Sequence, residues 1–151
     1  MKSGPNAPRV KLVIDTNTLV SGTLWSGPPS RLIDAVEQGR ATLVLSTALL
    51  AEFGDVVGRD RLGGRLTLCN VSPAKLVARL ARQAEFVSPA PIPLPPSLRD
   101  PKDLMVLAAA VAARADAIVT GDDDLLSMKS FEGIPIMKAR EALDKLGLPA
   151  E

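Results

Sequence analysis

The chain has 151 residues, of which 46% are hydrophobic and 23% are charged, and its formal net charge is +1. This length and composition predict one globular domain over residues 1–151, with a self-sufficient core at about residues 10–147. The sequence has no histidine and one cysteine, which excludes Ser-His-Asp and Cys-His triads, histidine-bearing metal motifs and four-cysteine zinc sites.

Two features bear on where the protein works. The first ten residues, MKSGPNAPRV, contain no apolar segment of the kind that a secretory signal needs. The longest apolar stretch, from Leu104 to Ala113, is too short to cross a membrane. The lone Cys69 cannot form an internal disulfide, which suits a reducing compartment. We therefore expect a cytoplasmic protein that has no membrane partner.

Short apolar segments alternate with helical patterns along the chain. Strands are predicted at residues 10–14, 43–45, 86–87, 117–119 and 134–137. Helices are predicted at residues 28–38, 46 or 47 to about 57, about 73–83, 100 to about 115, just after 122, and 138–146. A break is predicted at Gly63-Gly64, and the proline-rich residues 88–96 are predicted to form an extended connector. Strands that alternate with helices in this way predict a three-layer α/β sandwich around a parallel sheet.

Four acidic residues lie where their side chains could meet. Asp15 and Asp122 each follow a predicted strand, and ligands of open α/β sheets bind beyond the carboxyl ends of strands. If the first and fourth strands are neighbours, these two acids face each other. Asp103 lies in the first turn of the helix that leads into the fourth strand. Glu52 lies at the edge of the apolar face of its helix and could reach either inward or into water.

Carboxylates that share a site repel one another unless a proton or a cation lies between them. In a chain without histidine, this predicts Mg²⁺ or Mn²⁺ held by carboxylate oxygens. Ordinary helix capping is the alternative. Asp100 and Asp103 suit the start of one helix, and Asp122 the start of another. Asp15 or Asn17 could cap the helix after the first strand. Capping explains each position singly, but not their coincidence at one edge of the sheet.

The small net charge hides an uneven distribution. Between Arg59 and Arg82 there are six basic residues and one acid, whereas between Asp100 and Asp124 there are six acids and two basic residues. A basic flank beside an acidic pocket suits a polyanion that is held by its phosphates. Arg79 and Arg82 are the predicted contacts to it. The alternative is that they form only the solvated face of a helix.

Five segments match a known family in the same order along the chain. They are VIDTN at 13–17, LSTALLAE at 45–52, DPKD at 100–103, VTGDDDLL at 119–126 and FEGI at 131–134. On these segments the chain resembles PIN domains, particularly the small bacterial PIN proteins related to VapC toxins, over roughly residues 11–146. The resemblance implies a five-stranded parallel sheet in the order 3-2-1-4-5 and a Mg²⁺- or Mn²⁺-dependent ribonuclease.

The resemblance also implies roles for individual residues. The acids that match the catalytic quartet of the family are Asp15, Glu52, Asp103 and Asp122. Asn17 matches its supporting polar residue, and Thr120 matches its pocket hydroxyl. The residues predicted to ligate metal are Asp15, Asp103, Asp122 and Asp124, the last of which belongs to a TGDxDLL variant of the fourth motif.

The expected activity is hydrolysis of phosphodiester bonds in single-stranded RNA, with Arg79 and Arg82 as RNA contacts. The resemblance raises the expectations of a homodimer, of a toxin role and of an antitoxin protein as partner. Trp25 is expected in the core, or else as an interface anchor.

Two other functions stay open. Asp15 after a first strand also suits an aspartyl-phosphate enzyme, such as a haloacid-dehalogenase phosphatase, although that pattern needs an acid where Asn17 stands. A receiver domain needs a lysine in place of Thr120-Gly121-Asp122. The remaining alternative is a non-catalytic PIN fold that only binds RNA or protein.

Overall fold

The computed structural model describes residues 9–93, 95–96, 98 and 100–150. The strands are β1 (Val10–Ile14), β2 (Ala41–Leu45), β3 (Ala84–Phe86), β4 (Ala117–Val119), β5 (Ser130–Phe131) and β6 (Ile134–Met137). The helices are α1 (Thr16–Leu24), α2 (Pro28–Glu37), α3 (Thr47–Val57), α4 (Gly63–Leu68), α5 (Pro73–Gln83), α6 (Pro101–Ala113), α7 (Asp123–Met128) and α8 (Ala139–Leu146). A 3₁₀ turn, Asp60–Leu62, precedes α4.

The strands form a mostly parallel sheet in the order β3-β2-β1-β4-β6-β5. Central β1 lies parallel to β2 and to β4, with Leu12 opposite Leu43 on one side and Ala117 on the other. The five parallel strands follow the predicted order 3-2-1-4-5. The prediction of a sheet with five strands, all parallel, is wrong, because β5 pairs antiparallel with β6 and adds a sixth.

A tight turn explains the additional strand. Glu132 and Gly133 have positive φ values of 52° and 80°. Positive φ at both central residues is the backbone of a two-residue type I′ hairpin. The turn folds Ser130 and Phe131 back along β6, where Phe131 lies opposite Ile134. The sequence carries only a weak signal for it, since the preferred first residue of such a turn is Asn, Asp or Gly rather than Glu.

Helices cover both faces of the sheet. Residues 12–14 of β1 and residues 117–119 of β4 are all at most 1% exposed. Because successive side chains of a strand point to opposite faces, burial of consecutive residues requires cover on both sides. α6 packs against β1, β2 and β4, whereas α2 packs against β2 and α8. Within the described ranges, no helix combines the length and the apolar character needed to cross a membrane.

A local helix cap and a tertiary contact account for two helices that the sequence patterns did not predict. Asp15 caps α1, and its carboxylate accepts a hydrogen bond from the Thr18 amide. α4 begins at Gly63, where a break was predicted. It is held to the rest of the domain by Arg65, whose Nε donates to the Leu24 carbonyl at 2.7 Å. These contacts offset the low intrinsic helix propensity of glycine.

The predicted core position of Trp25 is wrong, since its side chain is 42% exposed. The Arg65 guanidinium lies over the indole, 4.8 Å from the ring centroid. A cation stacked in this way covers one face of the ring and leaves the other face to solvent.

The described residues of the proline-rich connector lie outside helices and strands. Leu94, which was also predicted to belong to the connector, is not among the described residues. The Ala90 amide donates to the Ala108 carbonyl of α6 at 3.1 Å, which ties the connector to the helix that carries Asp103.

Close packing of α1 on α2 predicts the effect of a mutation at Gly22. A Cβ at this position would lie 2.8 Å from Ile33 Cγ1 and 2.8 Å from the Pro29 carbonyl oxygen. We expect Gly22→Ala to lower the free energy of unfolding by about 1–3 kcal/mol, as overpacking does, although alanine favours an isolated helix by about 1 kcal/mol. Urea denaturation measures the difference.

Gly54→Ala in α3 is the matched control, because its Cβ would meet only Val77 Cγ2, at 3.4 Å. This variant should keep or raise the free energy of unfolding. An equal gain in both variants would show that α1 and α2 are not packed as described.

Candidate active site

The carboxyl ends of β1 and β4 form the centre of the candidate site. The Asp15 amide donates to the Val119 carbonyl at 3.0 Å, which extends the pairing of the two strands by one residue. Asp15 is 9% exposed, and its Oδ1 accepts from the Thr18 amide at 2.9 Å. One carboxylate oxygen is therefore committed to the cap of α1, which leaves Oδ2 for other partners.

One hydroxyl group connects Asp15 with Asp122. Thr120, which is 1% exposed, donates its hydroxyl hydrogen to Asp15 Oδ2 and accepts a hydrogen bond from the Asp122 amide at 2.9 Å. Asp122 Oδ2 in turn accepts from the Leu125 amide at 3.2 Å and caps α7. This chain of hydrogen bonds holds the two acids in one orientation relative to each other.

A cleft of about 340 Å³ opens beside this pair. Six carboxylates line it, those of Asp15, Glu52, Asp100, Asp103, Asp122 and Asp124. Three cations line it as well, those of Arg59, Arg61 and Lys102. All the acids predicted as catalytic or metal-binding residues thus lie around this acidic cleft, with Asn17 on its wall and Thr120 bonded to Asp15 and Asp122.

Glu52 reaches into the acidic cleft. Its side chain is 16% exposed, and Oε2 lies 3.0 Å from Lys102 Nζ. Leu49 and Phe53 on the same helix are buried in the core, so α3 is anchored with its Glu52 edge toward α6. The ion pair links α3 to the first turn of α6 and sets a cation beside one acid of the predicted quartet.

The carboxyl group of Asp103 has a strongly perturbed affinity for protons. Burial, together with the negative charges of Asp122, Asp100, Asp124 and Asp15, raises the pKa of Asp103 to about 6. Burial and neighbouring negative charges both make this carboxyl difficult to ionise, and such a group is typical of a site that binds a cation.

Three of the acids that line the acidic cleft also cap helices. Asp100 caps α6 by accepting from the Lys102 amide at 2.9 Å, just as Asp15 caps α1 and Asp122 caps α7. Three helices therefore begin at the acidic cleft, and their partial positive charges offset part of the repulsion among its acids.

The acidic cleft fits a hard divalent cation by the chemistry of its ligands but not by their spacing. Only oxygen ligands line it, which is what Mg²⁺ and Mn²⁺ prefer. In the described ranges, however, no three side chains of His, Cys, Asp or Glu converge closely enough to hold an ion. Binding would have to draw the carboxylates together.

The structure places the predicted RNA contacts away from the acidic cleft. Arg79 pairs with Glu37 of α2, with Nη2 donating to Oε1 at 3.0 Å, and this hydrogen bond holds the pKa of Glu37 below its usual value. Neither Arg79 nor Arg82 is among the described residues that line the cleft. Their contact with RNA stays a prediction.

Three cations of the cleft were not singled out by sequence. Arg59 and Arg61 belonged to the basic stretch, and Lys102 lies within the DPKD segment. Arg59 and Arg61 line the same cleft as Asp100 and Asp103, which lie about 40 positions further along the chain, so only tertiary packing brings them together. No local pattern contains that information.

Comparison with known proteins identifies the class. The model of the PIN domain family matches residues 11–124 of this chain. The chain therefore belongs to the PIN domain family, whose members are in general nucleases, typically metal-dependent ones. This membership argues against the aspartyl-phosphate alternative.

A solved structure has the same fold. The crystal structure of PAE2754 from Pyrobaculum aerophilum superimposes with a TM-score of 0.57 at 14% sequence identity, covering 93% of this chain and 98% of that one. At this identity the likeness concerns the fold. No curated protein matches the chain significantly.

The raised pKa of Asp103 predicts a dependence of stability on pH. Because the folded pKa is about 6 and the unfolded value is about 3.9, ionised Asp103 destabilises the metal-free protein fully above pH 6. The destabilisation shrinks as the pH falls through 6 toward 4, where the carboxyl is protonated in the folded state and about half protonated in the unfolded state. With EDTA present, Asp103→Asn should raise the free energy of unfolding near pH 8 by about 1 kcal/mol, given solvent screening of this partly exposed group.

Urea denaturation at pH 8 and at pH 4 measures this effect, and Asp144→Asn, a removal of charge on the exposed face of α8, is the control. For Asp103→Asn alone, the gain should be present in full at pH 8 and much smaller at pH 4. A loss of stability at pH 8 would mean that the ionised carboxylate makes favourable contacts in the cleft.

Proposed function

We propose that this PIN domain is a Mg²⁺- or Mn²⁺-dependent ribonuclease that hydrolyses phosphodiester bonds of single-stranded RNA. The observation that carries the proposal is the acidic cleft, in which six carboxylates and three cations surround the carboxyl ends of β1 and β4. An excess of three negative charges would repel a polyanion, so productive binding of RNA requires further positive charge between the acids and the phosphate.

A divalent cation would supply this positive charge, and the residues proposed to bind it are Asp15, Asp103, Asp122 and Asp124. A divalent cation held by these residues would lower the pKa of a water molecule and would neutralise charge that develops on the scissile phosphate. Asp103 supports this role, since its pKa is raised by burial and by the acids around it. The division of work between Asp122 and Asp124 depends on whether one or two ions bind.

The chain itself supplies orientation and charge balance. Thr120 keeps Asp15 Oδ2 and the backbone of Asp122 in register, so it acts as a positioning residue. Lys102 holds Glu52 at the opposite side of the cleft. Glu52 can therefore accept a hydrogen bond from a water molecule that approaches the phosphate, while Asn17 supports the Asp15 side.

Charge also favours one strand over two. A duplex brings a second row of phosphates toward a lining that is already negative, whereas a single strand can turn its backbone toward Arg59 and Arg61 and its bases away. The choice of RNA over DNA, the toxin role and the antitoxin partner rest on the resemblance to VapC-like proteins. Reading the neighbouring gene tests the antitoxin, and light scattering tests the proposed homodimer.

Dependence on metal is the first test. Purified protein should cleave single-stranded RNA with Mn²⁺ or Mg²⁺ and stop when EDTA is added. Asp15→Asn and Asp122→Asn keep the side-chain shape but remove charge, and each should lower the cleavage rate by more than about a hundredfold, since several kcal/mol of charge stabilisation is lost.

Asp144→Asn should cleave at the parental rate, because this residue lies on α8 and does not line the acidic cleft. Cleavage that continues in excess EDTA would rule out the metal mechanism. Activity equal to the parent in Asp15→Asn and Asp122→Asn would move catalysis away from this cleft.

The cations that line the acidic cleft are the proposed phosphate contacts. Replacing Arg59 and Arg61 with Gln should weaken binding of all RNA sequences alike and flatten the dependence of affinity on salt, by roughly 0.7 in logarithmic slope for each lost contact. The measurement is RNA affinity against salt concentration in an Asp15→Asn background, which prevents cleavage.

The matched variant replaces Arg79 and Arg82 with Gln, which removes the same charge from α5. Because Arg79 is bound to Glu37, this pair should change the slope less. A larger change from the α5 pair would identify that helix as the principal contact to RNA, as the uneven charge of the sequence predicts.

A further inference from the structure

A second cleft, of about 510 Å³, adjoins the acidic cleft. It shares Asp15, Asn17 and Asp122 with the acidic cleft, so these three residues line both. We call it the polar cleft, because the residues that belong to it alone include Thr18, Ser21, Gly121 and Asp123. Its volume is within the range of about 300–1,000 Å³ that is typical of small-molecule sites.

The two clefts differ in charge. Arg59, Arg61 and Lys102 all line the acidic cleft. Among the described residues that line the polar cleft there is no Lys or Arg. A phosphate group has no cation to meet there, and the carboxylate of Asp123 would repel it. The polar cleft is therefore unsuited to the backbone of a nucleic acid.

Its hydrogen-bonding groups suit the edge of a base instead. The Asp123 carboxylate only accepts hydrogen bonds, whereas the Ser21 hydroxyl and the Asn17 amide both donate and accept. Both Ser21 and Asp123 are exposed, and neither side chain makes a hydrogen bond to another described residue that would compete with a ligand.

We infer that the polar cleft is the subsite for the nucleobase next to the cleaved phosphate, and that it selects a base with an exocyclic amine. Guanine is the best match, because its N1–H and N2–H groups can both donate to the Asp123 carboxylate. Uracil is the poorest, since it offers one donor and two carbonyl oxygens that face the same negative charge. The inference rests on the proposed function, since it concerns the substrate of the same site.

The first test fills the polar cleft. A Cβ at Gly121 would meet no atom within 4 Å, and the φ of Gly121 is not in the left-handed region, so Gly121→Val should add volume at the cleft with little strain. Gly64→Val is the matched control, because a Cβ at Gly64 also meets no atom within 4 Å and α4 is not part of either cleft.

The second test changes the acceptor. Asp123→Asn keeps the size of the side chain but replaces one acceptor oxygen with a donor. Affinities are measured by fluorescence anisotropy for short single-stranded RNAs that differ only in the base on either side of a defined cleavage position. The Asp103→Asn background prevents cleavage during the measurement without changing a residue that lines the polar cleft, and thermal melting shows that each variant is folded.

The Asp103→Asn parent should bind the best guanine-containing RNA about tenfold more tightly than its uracil counterpart, the discrimination expected of a paired hydrogen bond. Asp123→Asn should reduce that ratio to near one, Gly121→Val should weaken the guanine RNA most, and Gly64→Val should change neither. Parent protein with unchanged Asp103 should show the same preference in its cleavage pattern.

Each result decides between the two proposals. If the parent cleaves RNA but none of the substitutions alters base preference, the polar cleft is not a base subsite while the ribonuclease stands. Base discrimination that depends on Asp123 without any cleavage would support the subsite and overturn the ribonuclease. Equal weakening of all RNAs by Gly121→Val would show that the polar cleft holds backbone or a protein segment, which overturns the inference.

Discussion

The structure of the site depends on one buried hydroxyl. Thr120 donates to Asp15 and accepts from the Asp122 backbone, so the ends of β1 and β4 are joined by side-chain chemistry as well as by the sheet. Two carboxylates so placed would separate if only their mutual repulsion acted on them. The hydroxyl limits how far the two acids can move relative to each other, and both clefts are lined by the pair that it holds.

Repulsion among the acids is the cost of this arrangement, and the rest of the domain offsets it. Helices α1, α6 and α7 each begin at an acid of the cleft, so the same carboxylates that repel one another stabilise helix ends. Lys102 neutralises Glu52 from the other side. Asp103 has no such partner among the described residues, and its burial together with the charges of the neighbouring acids raises its pKa to about 6. Proteins commonly hold such unrelieved strain at functional sites.

Patterns in the sequence predicted the fold well where they were periodic. β1, α5 and β6 were predicted at their observed bounds, and the order of the parallel strands was also predicted. The additional strand depends on a turn whose residues are not typical of it, and α4 depends on Arg65 meeting the end of α1. The position of Trp25 could not be predicted from its own segment either, because Arg65, which stacks on its ring, comes from a distant part of the chain. Interactions of this kind have no local signature.

The sequence by itself determined which chemistry is available, because it contains no histidine, one cysteine, and acids placed after strands and at helix starts. The order of the motifs indicated that these acids belong to one site. Only the tertiary structure decided that Glu52 points inward, that Arg59 and Arg61 rather than Arg79 line the acidic cleft, and that a second cleft without cations adjoins it. The physical reason is that residue type and spacing follow from local backbone periodicity, whereas the charge balance of a cleft is a sum over segments that only packing brings within a few ångströms.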